Sequence, residues 1–164
     1  MKLHNCIICL LILFMIVYGQ SLLAQPIVLD LQYSTLSFTN SNRSIVVNNG
    51  NSGTTQGSVH RYNNVVTRNG ITVYGLLTIQ EVNNAAIRNF DDDVTFGIPS
   101  RFQPRIGALT DAGGYIVYHL QFFNSATDQD IFIYNYNITG VDVDGNSSSD
   151  REFNEHGGYT SYTV

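Results

Sequence analysis

Period-two alternation of apolar residues, repeated along the chain without a rival helical period, most constrains this fold. In Ile71-Thr72-Val73-Tyr74-Gly75-Leu76-Leu77-Thr78-Ile79, one face carries Ile71, Val73, Leu77 and Ile79, and the other Thr72, Tyr74, Leu76 and Thr78. Side chains on a strand alternate between faces, so this is a ribbon with one apolar side. Residues 115–123 repeat the pattern, with Ile116, Tyr118, Leu120 and Phe122 opposing Tyr115, Val117, His119, Gln121 and Phe123. Residues 131–138 do so again, and all three runs are rich in the β-branched and aromatic types that suit a pleated surface. Fainter strands are expected at 27–31, 44–47, 59–67, 86–90 and 159–164. From Gln25 onward, no apolar series at three-and-four spacing is long enough for a helix.

Turn chemistry punctuates the strands. Asn48-Asn49-Gly50-Asn51-Ser52-Gly53 is a loop by composition, Asn69-Gly70 supplies the positive φ of a tight hairpin, and Gly113-Gly114 and Gly157-Gly158 precede strand-like runs. Many short strands with turns between them indicate an all-β fold, an antiparallel β-sandwich, with a closed β-barrel as the alternative. The stretch 91–111, which holds Pro99 and Pro104, reads as a long crossover or edge loop. No internal repeat or linker divides 25–164, which is expected to be a single domain. The chain stops inside the strand-like run 159–164, as a terminal strand or as a cut in a longer protein.

The first 24 residues have a different character. Lys2 and His4 precede an apolar run from Cys6 to Tyr18, and Ala24 offers a small residue at the exit. That is the layout of a secretory signal peptide, with Gly19 as the competing cleavage point. The run is shorter than the roughly 20 residues that cross a bilayer as a helix, which disfavours an uncleaved anchor. Both cysteines, Cys6 and Cys9, and the single lysine fall in this segment. The mature chain would therefore hold no disulfide, would face the extracellular or outer-surface environment, and would have no transmembrane helix.

Composition then excludes classes. With 43% hydrophobic, 12% aromatic and only 13% charged residues, the chain is too apolar for intrinsic disorder. Its formal charge of −5 opposes phosphate neutralisation, so nucleic acid is not an expected partner. An exported domain without disulfides depends on its core or on bound ions.

The strongest local pattern for an ion is Gly140-Val141-Asp142-Val143-Asp144-Gly145-Asn146, followed by Asp150. Calcium takes six to eight oxygen ligands. Asp142 and Asp144 share a strand face, and the Gly145 turn brings Asn146 or Asp150 toward the same point. The pattern is not an EF-hand, since Phe153 stands at its twelfth position. Calcium at Asp142, Asp144, Asn146 and Asp150 is weighed against an acidic turn of solvated aspartates. Asp91-Asp92-Asp93 reads by default as a solvated loop.

For ligands, Tyr134 and Tyr136 are expected to project from one strand face, with Asn135 and Asn137 on the other. Aromatic planes flanked by amides suit sugar or protein recognition. A catalytic reading is weak. His60, His119 and His156 are the mature histidines, His119 lies on an alternating strand, and no Gly-x-Ser-x-Gly elbow or His-x-x-x-His zinc pair is present. Glu81, Glu152 and Glu155 are the glutamates that a glycosidase pair could draw on. The chain is not expected to be an enzyme.

The run Gly140 to Asn146, then Arg151-Glu152-Phe153 and Tyr159-Thr160-Ser161-Tyr162-Thr163-Val164, resembles the β-rich N-terminal region of large secreted proteins of Bacteroidota type. Leu23-Ala24-Gln25 matches their signal ending, and Gly70-Ile71-Thr72-Val73-Tyr74-Gly75 is similar in flavour. Those proteins continue into repeats and a C-terminal sorting domain, both missing from this sequence. The resemblance implies a secreted or cell-surface, adhesin-like structural domain whose partner is an extracellular protein or glycan. A carbohydrate-binding or glycan-hydrolysing module is the alternative.

Overall fold

A computed structural model describes residues 25–32, 34–91, 99–136 and 157. Residues 1–24, read above as a signal peptide, Asp92 and Asp93, Asp142, Asp144, Asn146 and Asp150, and the terminal run 159–164 lie outside the described residues.

Eight strands form among the described residues: β1 (Ile27–Asp30), β2 (Arg43–Val47), β3 (Val59–Arg68), β4 (Ile71–Asn83), β5 (Ala85–Asn89), β6 (Arg105–Ala108), β7 (Tyr115–Asn124) and β8 (Asp130–Tyr134). No α-helix is present among these residues, and the fold is all-β, as the alternation requires. Six strands make one curled sheet in the order β1-β8-β7-β4-β3-β2, while β5 and β6 form a small second sheet. The arrangement has the layers of a sandwich or half-barrel. One feature departs from the antiparallel expectation: β1 runs parallel to β8, Ile27 beside Ile131 and Asp30 beside Tyr134.

The centre of the large sheet is the pairing of β4 with β7, from Val73 opposite Asn124 to Asn83 opposite Tyr115. The hairpin of β3 and β4 turns at Asn69 (φ 52°) and Gly70 (φ 76°), the conformation that this dipeptide favours. Three register shifts interrupt the large sheet: in β2 between Ile45 and Val47, in β3 between Tyr62 and Val66, where Asn64 has φ 54°, and in β4 between Ile79 and Glu81. An extra residue bends and twists its strand locally.

The alternation delivers the core. Val73, Leu77 and Ile79 from β4 are buried, as are Tyr62 and Val65 from β3. Ile116, Tyr118, Leu120 and Phe122 of β7 pack against them. Phe38, Ile87, Phe90 and Phe102 cover this inner face. A second cluster, Leu29, Leu31, Val73 and Ile131, seals the β1 end.

Aromatic edges organise the junction: Phe38 meets Tyr62 edge-on at 5.3 Å, and Phe102 meets Tyr118 edge-on at 5.1 Å. Each such pair adds about 0.5–1.5 kcal/mol beyond its buried area. Tyr118 carries a cost as well, because its buried hydroxyl has no hydrogen-bond partner among the described residues and burial holds its ionisation far above the ordinary tyrosine range. Removing an unsatisfied buried hydroxyl while keeping the ring is favourable. Tyr118→Phe is therefore expected to raise the unfolding free energy by about 1 kcal/mol in urea denaturation. A loss of stability would show that the hydroxyl has a partner.

The stretch 91–111 contains more structure than its prolines suggest. β6 lies inside it, paired with β5 from Ala85 opposite Ala108 to Asn89 opposite Arg105.

Candidate functional site

Alternation along β8 puts Ile131 into the core and turns Phe132 and Tyr134 outward, 59% and 61% exposed. Parallel pairing sets Val28, 60% exposed, beside Phe132, and Asp30 beside Tyr134. Neighbouring strands lie about 4.8 Å apart, so Val28, Phe132 and Tyr134 form one contiguous apolar patch with a carboxylate at its edge. Tyr115 and Val117 add exposed apolar surface on β7. Single exposed apolar residues are ordinary on a protein surface, whereas a contiguous group marks an interaction surface.

Tyr134 is thus where the alternation put it, but the expected pairing with Tyr136 on one strand face does not hold. The strand ends at Tyr134 and Asn135 takes φ 51°, so Tyr136 lies exposed beyond the strand and its direction no longer follows from period two. Asparagine enters this left-handed region more readily than most residues, because its short polar side chain is able to bond to nearby backbone.

Toward the centre of the same sheet runs a cation–aromatic ladder. The Arg61 guanidinium sits 3.5 Å over the Tyr74 ring, which stacks on Phe123 at 5.1 Å, and the Tyr74 hydroxyl donates to Asp128 at 3.0 Å. Burial pushes the Tyr74 phenol up, and the hydrogen bond to Asp128 with that residue's charge adds to it. Tyr115 donates to Glu81 at 2.6 Å, the main cause of its own raised ionisation. These contacts make the outward face rigid as well as apolar.

A second constellation lies inside the fold, around His60 rather than His119. His119 is exposed on β7, whereas His60 has no solvent exposure. Its ring stacks on Phe90 with centroids 3.5 Å apart. Nδ1 lies 2.9 Å from Arg43 Nη1, and Nε2 lies 2.7 Å from the Gly53 carbonyl. Arginine can only donate, so Nδ1 accepts and Nε2–H donates: the ring is the neutral Nε2–H tautomer. Arg43 Nε donates to Asn40 at 2.6 Å, and the Asn40 amide donates to the Asp91 carbonyl. The Asp91 carboxylate accepts from the Tyr62 hydroxyl at 2.7 Å and from the Gln103 amide at 3.0 Å.

Asp91 is accordingly not part of a solvated loop; it is buried, since Tyr62 and the Gln103 backbone supply donors that compensate its lost water. The signal for His60 was available in the sequence: it shares the inner parity of β3 with Tyr62.

Beside this network is a groove of about 300 Å³ lined by Asn51, Thr54, Thr55, Gln56, Val82 and Ile87, among others. Among the described residues no three His, Cys, Asp or Glu side chains gather as a metal site. No helix of the described residues is long and apolar enough to cross a membrane. Comparison with protein-family models, curated proteins and solved structures found no match.

Proposed function

We propose that the chain is a secreted or cell-surface structural domain with an adhesive role, docking an extracellular protein through the outward face of β1 and β8. The contiguous exposure of Val28, Phe132 and Tyr134 supports this reading. Aromatic anchors carry a disproportionate share of binding energy at protein interfaces. Calcium at Asp142, Asp144, Asn146 and Asp150 belongs to the same reading on sequence grounds. A carbohydrate-binding or glycan-hydrolysing module is the second reading, favoured by the open Tyr134 ring beside Asp30.

Binding of the purified chain to surfaces coated with extracellular-matrix proteins, alongside a glycan array, separates the two. Combined Phe132→Ala and Tyr134→Ala substitution is expected to weaken protein binding at least about tenfold, or roughly 1.4 kcal/mol, with little change in melting temperature, because both side chains are exposed. Glycan binding that disappears with Tyr134→Ala would establish the second reading instead. Binding to either ligand class that ignores both substitutions would overturn the assignment of this face.

A further inference from the structure

We propose that the free half of β7, residues 115–121, takes up an extended cationic segment of a partner protein as an added strand. This rests on the adhesive reading and deepens it, naming the conformation and the charge of the partner that the outward face receives.

The large sheet forks between β7 and β8. Their ladder holds Phe122 opposite Ile131 and Phe123 opposite Asp130, and stops there. Continued at that register, Phe132 would face Gln121 and Tyr134 would face His119; both segments are strands, yet no pairing joins them. Among the described residues, Phe132 to Tyr134 pair with β1 alone, and Tyr115 to Gln121 with β4 alone. The Asn124 amide donates to the Gln129 carbonyl at 2.9 Å, so the even-numbered residues of β7 aim their backbone groups toward β8. Ile116, Tyr118 and Leu120 therefore present N–H and C=O groups that have no ladder partner on that side among the described residues.

Protection distinguishes this edge from the two outer edges of the sheet. β1 has four residues and ends on Asp30, and β2 has five and is broken by the register shift between Ile45 and Val47. Short strands, charges and bulges are the usual devices that keep an edge from pairing. Residues 115–121 have none of them. They include no proline, lysine, arginine, aspartate or glutamate, and the irregularity opposite them lies in β4, where Ile79 and Glu81 face the adjacent Tyr118 and Val117. The unprotected edge is also the one beside the exposed Phe132 and Tyr134.

The surroundings select the side chains of such a strand. Its inward residues meet Ile116, Tyr118 and Leu120, which are only half-buried, so apolar residues there gain the most from burial. Its outward residues lie between Tyr115 and Val117 of β7 and Phe132 and Tyr134 of β8, all exposed. β1, β7 and β8 carry Asp30 and Asp130 and no lysine or arginine, and Glu81 faces Val117 from β4. Arg61, on the same face, is engaged over Tyr74. An outward lysine or arginine lays its stem on the apolar patch and holds its charge near the Tyr134 ring and these carboxylates. A second copy of this chain, of formal charge −5, brings the wrong sign.

Fluorescence anisotropy with a labelled, end-capped peptide that alternates valine and lysine over the length of residues 115–121 tests this on the purified full chain. Methylating the peptide's backbone nitrogens on the edge that meets β7 is expected to weaken binding at least about tenfold, because main-chain hydrogen bonds supply the affinity of an added strand. Replacing its lysines by glutamates is expected to weaken binding severalfold, as is Val117→Lys in the protein, which puts a guarding charge on an exposed position of β7. Phe132→Ala with Tyr134→Ala reports on the face itself. Binding that ignores N-methylation but is lost in that double variant would overturn the added strand and leave the adhesive face standing. Binding that is lost on N-methylation but ignores the double variant would support the strand and remove the face. No binding of the parent peptide, preference for the glutamate peptide, or a photoreactive side chain at Val117 that joins to its own chain or a second copy instead of the peptide would each overturn the proposal.

Discussion

Tyr62→Ala is expected to lower the unfolding free energy by about 3–5 kcal/mol, the range for truncating a large buried aromatic to alanine. Tyr62 is fully buried, and its ring packs edge-on against Phe38 within the main core. Its hydroxyl donates to Asp91, so truncation both empties the core and removes a donor from a buried carboxylate. Tyr62→Phe separates the contributions: it keeps the ring and leaves only the lost hydrogen bond, expected to cost about 1–3 kcal/mol. Urea denaturation followed by circular dichroism measures both, since the chain has no tryptophan to report by fluorescence. A phenylalanine variant as damaging as the alanine variant would place the whole role of Tyr62 in its hydroxyl. A harmless alanine variant would remove Tyr62 from the core.

The second large effect is expected at Gly114, just before β7. A Cβ there would run into the Asn84 carbonyl group, with the Asn83 carbonyl oxygen also at 2.8 Å. Those are backbone atoms at the junction of β4 and β5, and they are held: Leu109 N–H donates to Asn84 O at 2.9 Å, and the Asn84 amide donates to Thr110 Oγ1 at 2.7 Å. No rotamer change can relieve such a clash, so Gly114→Ala is expected to cost about 3 kcal/mol, the upper part of the overpacking range. Gly113→Ala is the control. Gly113 has φ +79° but nothing within 4 Å of an added Cβ, which leaves only backbone strain of about 1–2 kcal/mol. If thermal melting ranks Gly113→Ala as the more damaging change, close packing at Gly114 is not what requires glycine there.

How far the fold was legible follows from particular strands. β4 and β7 were plain because each has a long run of alternating side chains with one face committed to the core, and a one-residue slip would expose all of it. β6 was not: four residues, Arg105 to Ala108, one of them charged and one glycine, hold too few periods to register, and its strand character comes from pairing with β5. The parallel partnership of β1 and β8 was also unreadable, because period two fixes which side chains share a face but not the direction of a neighbouring strand. Period two likewise says nothing of where a strand stops, and Asn135 ended β8 before Tyr136.

The interior network was hidden for another reason. Histidine and aspartate look solvent-facing by type, and distant donors and acceptors, among them Arg43, Gly53, Tyr62 and Gln103, make His60 and Asp91 tolerable inside. Tyr134 could be nominated from the sequence, but its neighbour Val28 comes from the opposite end of the chain.

The union of β1 with β8 has a consequence for how this molecule is made. Gln25 and Gln129, bonded to each other at the start of that zipper, stand 104 positions apart. A chain growing on a ribosome cannot complete the sheet until nearly all of its strands have emerged, and its earliest strand must wait without its native neighbour. Closing so large a loop is entropically slow, so folding should be late and gradual, with the greasy flank of β1 offered meanwhile to chaperones.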